Sequence, residues 1–272
     1  MKYHIIPTLT IAGSDCSGGA GLEADMKTMS ALGCYAMAVV TAVTAQNTCG
    51  VYAVQQVDDS IVSAQLNAVF ADIPPRAVKV GMAGRASTIH VLGKELRNQD
   101  IPMVIDPVMV STSGSRLMDE DAVGIFVSEL LPLATVLTPN IPEAEVLAGM
   151  LIANEDDMRY AARKILDKGC RSVLLKGGHL GGDEKADLLM DSDGNEQWLR
   201  HPTVNTPNTH GTGCTLSSAI TSYLARGLAL AEAVDRAEEY LRNALNAGSK
   251  LYIGKGHGPV NHFFNPFPLI TE

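Results

Sequence analysis

From residue 8 to residue 176 the chain repeats one pattern: a short apolar run ending in polar residues or glycine, then a stretch whose apolar residues recur at helical spacing. Residues 8–12 read as a strand that opens into Gly13-Ser14-Asp15-Cys16-Ser17-Gly18-Gly19-Ala20-Gly21, and Leu22, Met26, Met29 and Leu32 then mark a helix ending at Gly33. The pattern continues with a strand over 37–45, a helix over 61–70, a strand over 77–82, a helix over 87–98 and a strand over 103–106 that Pro107 stops. A Ser/Thr/Gly loop at 111–115 precedes a helix over 120–131. Val136 and Leu137 lead into Thr138-Pro139-Asn140, and Pro142 opens a helix running to Leu147, a position where its missing N–H costs nothing. Residues 158–168 read as a helix and 172–176 as a strand ending in Gly177-Gly178-His179. Residues 186–190 and 196–199 flank Asp191-Ser192-Asp193-Gly194-Asn195 as a hairpin, and helices over 214–226 and 230–252 precede a Gly/Pro-rich tail.

Strands that alternate with helices in this way must lie parallel, because a crossover helix returns each strand to the same end of the sheet. The expected fold is α/β, with a mostly parallel central sheet and helices on both faces. Ligands of such sheets bind beyond the strand C-termini. Gln46, Gly81-Met82, Asp106, Asn140, Lys176 and the stretch Gly211-Thr212-Gly213-Cys214 all fall at strand ends or in loops entering helices, so they can share one rim. No composition shift or repeat marks a linker, and residues 1–272 read as one domain.

The formal charge of −9 argues against nucleic acid or an anionic membrane surface as a partner, since both need clustered Lys and Arg. A phosphate-bearing ligand must then be held by local groups. The five cysteines form no Cys-x-x-Cys pair, which fits reduced thiols in the cytoplasm better than a disulfide framework or a zinc site. The N-terminus lacks a signal-peptide layout, and the longest apolar helical stretch, 214–225, falls short of the ~20 residues of a membrane span. A soluble protein is expected.

The stretch 205–219 carries the sharpest chemical signal. Gly211 and Gly213 let the backbone turn with its N–H groups exposed, and the helix beginning near Cys214 adds its positive dipole end, so a phosphate or oxyanion is the natural guest. Cys214 at that mouth would have a lowered pKa and could act as base or nucleophile; the alternative is a packed cysteine after an ordinary Gly-rich turn. His210 is placed to assist a nucleophilic thiol or to hydrogen-bond within the turn. Gly-x-x-x-x-Gly-Lys-Ser/Thr, a Gly-x-Gly-x-x-Gly after a strand, a kinase His-Arg-Asp and a Gly-x-Ser-x-Gly elbow are all missing.

Taken together, Ile11-Ala12-Gly13-Ser14-Asp15 with Ser17-Gly18-Gly19-Ala20-Gly21, Thr44-Ala45-Gln46-Asn47-Thr48, Lys79-Val80-Gly81-Met82, Asp106-Pro107-Val108-Met109, Thr138-Pro139-Asn140 with Glu143, Lys176-Gly177-Gly178-His179 and Thr209-His210-Gly211-Thr212-Gly213-Cys214-Thr215 resemble hydroxymethylpyrimidine/phosphomethylpyrimidine kinase of thiamine biosynthesis. The resemblance spans nearly the whole chain. It implies a ribokinase-like fold and ATP-dependent phosphorylation of 4-amino-5-hydroxymethyl-2-methylpyrimidine and then of its monophosphate, by a cytoplasmic homodimer.

By resemblance, Gly211, Thr212 and Gly213 form the anion hole and Cys214 is the base, where many ribokinase-like sugar kinases have aspartate. Gln46 resembles the reader of the pyrimidine edge, its amide matching a ring nitrogen and an exocyclic amine; Gly13, Asp25 and Met82 complete the substrate pocket. Asn140, Lys176 and Thr209 are implied at the nucleotide, and Glu143, with Asp106, at Mg²⁺, which prefers oxygen ligands. Each residue also has a plain reading: Gln46 as a strand-end amide, Asp25 as a solvated helix residue, Met82 as core, Glu143 as a helix-dipole partner, Lys176 as an exposed lysine. Competing functions are a pyridoxal kinase of the same fold, a Cys-dependent acyl transferase or hydrolase, and a non-catalytic nucleotide-binding module.

Overall fold

The computed structural model describes residues 4–110, 117–119, 121–178 and 184–272. The expected loop at 111–115, the helix start at Glu120 and His179 lie outside the described residues. Among the described residues one sheet of nine strands has the order β3-β2-β1-β4-β5-β6-β7-β8-β9. The strands are β1 Pro7–Asp15, β2 Tyr35–Asn47, β3 Gly50–Gln56, β4 Ala77–Val80, β5 Met103–Ile105, β6 Val136–Leu137, β7 Ser172–Leu175, β8 Glu184–Asp191 and β9 Glu196–Pro202. β2, β1, β4, β5, β6 and β7 run parallel; β3 pairs antiparallel with β2 at one edge, and at the other β8 pairs antiparallel with β7 and β9 with β8.

The helices are α1 Gly21–Ala31, α2 Asp59–Asp72, α3 Ala86–Leu96, α4 Ala122–Ile125, α5 Ile141–Ala148, α6 Glu155–Leu166, α7 Thr212–Ala225 and α8 Leu230–Gly248. Central strands such as β4 and β7 are buried at every residue, so they read as continuous apolar runs. One core layer joins α3, α5 and α6 to the sheet through Ile89, Leu92, Leu147 and Ile165. The opposite layer joins α1, α7 and α8 through Met29, Leu216, Ile220, Val234 and Tyr240. Helices therefore cover both faces, as the alternation predicts.

Local signals explain several boundaries. Asn140 and Glu143 close a reciprocal capping box at the start of α5, and Gly149 ends that helix at φ 64°. The region expected as one helix over 120–131 is instead a short α-helix followed by a π turn, Phe126–Leu130, and a 3₁₀ turn, Leu131–Leu133, that contains Pro132. β3 is the element missing from the sequence reading. Its residues are exposed or half-buried along its whole length, so no apolar periodicity announces it. No helix among the described residues is long and apolar enough to cross a membrane.

Candidate active site

A cavity of about 740 Å³ runs along the C-terminal ends of the parallel strands, from β1 and β2, past the start of α7, to β8, β9 and α8. β1 pairs with β2 on one side and β4 on the other, so the order of the sheet reverses there and leaves a crevice above it.

At the centre lies the first turn of α7. Gly211 caps the helix at φ 82°, and a Cβ there would collide with the carbonyl of Gly19, so only glycine fits where these two loops meet. The N–H of Thr212 is used by the Thr209 carbonyl at 3.3 Å. Those of Gly213 and Cys214 have no backbone acceptor among the described residues and remain at the positive end of the helix dipole. Gly213 does not need positive φ. A Cβ at Gly213 would stand 3.5 Å from both Asp106 Oδ2 and Lys176 Nζ, so its small size keeps the space between those groups open.

The thiol of Cys214 departs from expectation. Burial pushes it up to about 11; the charges of Asp25 and Asp106 add to that, while the charge of Lys79 and a hydrogen bond from the Gly21 backbone work against it. Desolvation therefore outweighs the helix dipole that sequence reasoning relied on. The direction of that shift favours the protonated thiol at neutral pH.

Beneath it lies an ion pair that the sequence reading missed. Lys79 Nζ donates to Asp25 Oδ2 at 2.7 Å, with both side chains wholly buried. Asp25 also accepts hydrogen bonds from Thr10 Oγ1 and Ser218 Oγ, each at 2.6 Å. Asp25 is thus not solvated, and it does not line the cavity as expected; Lys79 does. Ser218 lies one helical turn beyond Cys214, so this network fixes the helix that carries the thiol. The only sequence signal was a lysine inside the apolar run Ala77-Val78-Lys79-Val80.

On the far side of Gly213, Lys176 Nζ pairs with Asp106 Oδ1 at 3.2 Å, and Thr138 Oγ1 donates to the same oxygen at 3.1 Å. Lys176 is not an exposed lysine: its side chain is 15% exposed and held in the site. Glu143 accepts from the Asn140 N–H at 2.9 Å and returns its own N–H to Asn140 Oδ1 at 2.9 Å. Burial, opposed by the charge of Lys176 and reinforced by that of Asp106, raises the Glu143 carboxyl to about 7. Asp106, Asn140, Glu143, Lys176 and Thr209 all line the cavity.

At the β1 and β2 end, Gly13, Gln46 and Met82 line the same space. A Cβ on Gly13 would sit 3.0 Å from Met82 Sδ, so glycine lets the two pack closely. Gln46 Nε2 lies 3.2 Å from His210 Nε2, which is 2.8 Å from Asp15 Oδ2. Burial alone would raise the Asp15 carboxyl, but hydrogen bonds from His210, Ser17 and the N–H of Ala20 hold it well below the usual carboxylate range. His210 is therefore committed to Asp15. Among the described residues no hydrogen bond joins His210 to the Cys214 thiol, the contact that a Cys-dependent hydrolase would use.

The Phosphomethylpyrimidine kinase family model matches residues 15–261. A hydroxymethylpyrimidine/phosphomethylpyrimidine kinase of Rhizobium meliloti (strain 1021) is 51% identical over 258 residues, covering 94% of this chain and 96% of that protein. A crystal structure of phosphomethylpyrimidine kinase from Clostridium difficile 630 is 47% identical, with a TM-score of 0.78 over 88% of this chain and 99% of that one. The pyridoxal kinase of Staphylococcus aureus in complex with ADP is 34% identical, with a TM-score of 0.88 over 96% of this chain and 94% of that one.

Proposed function

The chain belongs to the phosphomethylpyrimidine kinase family, and from that premise we propose how its own pocket carries out the reaction. The enzyme is a hydroxymethylpyrimidine/phosphomethylpyrimidine kinase of thiamine biosynthesis. It phosphorylates 4-amino-5-hydroxymethyl-2-methylpyrimidine with ATP and then phosphorylates the monophosphate to the diphosphate. The observation that carries the assignment of roles is the first turn of α7, where the uncommitted N–H groups of Gly213 and Cys214 lie between the Gln46 end of the cavity and the Asp106–Lys176 pair.

The pyrimidine occupies the Gly13, Gln46 and Met82 end, with its hydroxymethyl group toward Cys214. The ATP phosphates lie along Thr209, Asn140 and Lys176, and the N–H groups of Gly213 and Cys214, with the helix dipole, hold the moving phosphoryl group, while Gly211 shapes the turn and the Thr212 N–H stays with the Thr209 carbonyl instead of joining the anion hole. Phosphoryl transfer asks mainly for positioning and charge stabilisation, and the acceptor proton leaves late in a loose transition state. Cys214 takes up that proton. Because the shift favours the protonated thiol, Cys214 must first release its own proton to solvent water, and the nearby charge of Lys79 favours that ionisation.

The carboxylates of Asp106 and Glu143 are hard oxygen donors on the Lys176 side of the anion hole, a set that fits Mg²⁺. When bound, that ion neutralises charge on the ATP phosphates. Asp25 serves from below, as the counter-charge of Lys79, and does not touch substrate.

The single sheet supports reading residues 1–272 as one kinase domain. Free cysteines support a cytoplasmic enzyme. Exposed Val43, Tyr52 and Val54 on the β2–β3 ribbon support a homodimer, which sedimentation at twice 28.8 kDa would confirm and a monomer would contradict.

ADP release with the pyrimidine alcohol, its monophosphate, pyridoxal and no acceptor tests the reaction. Turnover on both pyrimidines, abolished by excess chelator, is expected. Turnover on pyridoxal alone would make the chain a pyridoxal kinase, and no turnover on any ring would leave only a nucleotide-binding module.

A further inference from the structure

At the β8, β9 and α8 end of the cavity a second set of ionisable side chains converges. Asp187 comes from β8, His201 from β9 and Glu238 from α8, and one donor atom of each lies within 4.8 Å of the others. Asp187 and Glu238 are 6% and 5% exposed, and the His201 side chain is 15% exposed. Asp187 Oδ1 is fixed by the Gly177 N–H at 2.6 Å, and His201 Nε2 stands 3.6 Å from Glu238 Oε2. Glu238 Oε1 is buried without a hydrogen-bond partner among the described residues. Asp187 and Glu238 share a side-chain hydrogen bond, but Glu238 Oε1 is left orphaned in a buried site with an imidazole nitrogen at its side.

The cations that act on Glu238 do not resolve this. Lys176 is already paired with Asp106, and among the described residues Arg242, one turn along α8, forms no ion pair with Glu238. Two carboxylate oxygens and one imidazole nitrogen are a donor set that suits Mn²⁺ or Zn²⁺ better than Mg²⁺, which avoids nitrogen ligands. Three protein ligands leave further positions open to the cavity that these residues line.

We propose that Asp187, His201 and Glu238 form a binding site for a divalent transition-metal cation at this end of the cavity, separate from the Asp106–Glu143 carboxylates. The cation would tie the β8–β9 hairpin to α8. It would also cancel the negative charge that two carboxylates present to an anionic phosphate donor. The inference stands independently of the kinase reading, because binding is measured without nucleotide.

The test is a Mn²⁺ titration of the chelator-dialysed full chain, followed by the electron paramagnetic resonance of free Mn²⁺ and by electron spin-echo modulation of bound Mn²⁺. The expected result is bound Mn²⁺ with coupling to an imidazole ¹⁴N. His201→Gln should abolish that coupling, and Glu238→Gln should weaken this site by roughly tenfold or more. Glu143→Gln should leave the coupled signal in place. Circular dichroism confirms that the variants are folded. No bound Mn²⁺, bound Mn²⁺ without ¹⁴N coupling, or coupling that survives His201→Gln would overturn the proposal, and a proton shared between Asp187 and Glu238 would then account for their contact.

Discussion

Replacing Lys79 by Met probes the buried pair beneath Cys214. The change removes the charge 2.7 Å from Asp25 and leaves that carboxylate, wholly buried, with the hydroxyls of Thr10 and Ser218 as its remaining partners among the described residues. Breaking one side of a buried, hydrogen-bonded pair costs about 3 to 5 kcal/mol, because the surviving charge keeps its desolvation penalty and loses its compensation. Against a typical total stability of about 5 to 15 kcal/mol this is a large fraction. Asp25→Asn should cost a similar amount, since it strands Lys79. The double variant Lys79→Met/Asp25→Leu removes both charges and should recover most of the loss, lying within about 2 kcal/mol of the parent. Urea unfolding at neutral pH measures all three, with the slope checked for constancy. Because the Lys79 charge favours ionisation of Cys214, the double variant should remain slow even where it is stable. Single variants that cost less than about 1 kcal/mol, or a double variant whose cost is the sum of the two singles, would refute this account of the pair.

Gln46→Leu should reduce kcat/KM for the pyrimidine alcohol by about one to two decades while changing pyridoxal turnover little, since a buried edge that needs two hydrogen bonds loses about 1 to 3 kcal/mol without them. Equal loss on both rings would mean that Gln46 only positions the β2–β3 loop. Gly211→Ala should disturb folding and activity together, because its Cβ meets the Gly19 carbonyl at a residue with φ 82°. Gly213→Ala has ordinary contacts at 3.5 Å and should keep the urea midpoint while lowering kcat by narrowing the space between Asp106 and Lys176. A Gly213→Ala enzyme with unchanged kcat would remove that space from the phosphate path.

The parts of this structure legible in the sequence are those that local chemistry dictates. β4 and β7 are short apolar runs because both faces are buried, and the capping box at Asn140 and Glu143 writes the start of α5 directly. The anion-binding turn is visible because Gly-Thr-Gly-Cys precedes a long helix-forming run. What stayed hidden depends on distant packing. Asp25 looks like a solvated helix residue until Thr10, Lys79 and Ser218, which are 15, 54 and 193 residues away, close around it. The direction of the Cys214 shift is hidden for the same reason: the helix dipole is local, whereas the burial and the charges of Asp25, Lys79 and Asp106 that set the shift come from distant parts of the chain. β3 carries no apolar period because every one of its residues is exposed or half-buried.

The most direct test of the account is the single-turnover rate of Cys214→Ala and Cys214→Asp beside the parent, with saturating Mg²⁺-ATP and pyrimidine alcohol, from neutral to alkaline pH. A thiol held near 11 is ionised in a fraction that rises tenfold per pH unit below that value, so the parent rate should climb with pH. Cys214→Asp, already ionised, should lose that slope and keep part of the rate. Cys214→Ala should fall by about two decades or more across the range, with unchanged urea midpoint. A Cys214→Ala enzyme that turns over at close to the parent rate, or one that keeps the parent's pH slope, would contradict the role of Cys214 as the group that takes the substrate proton.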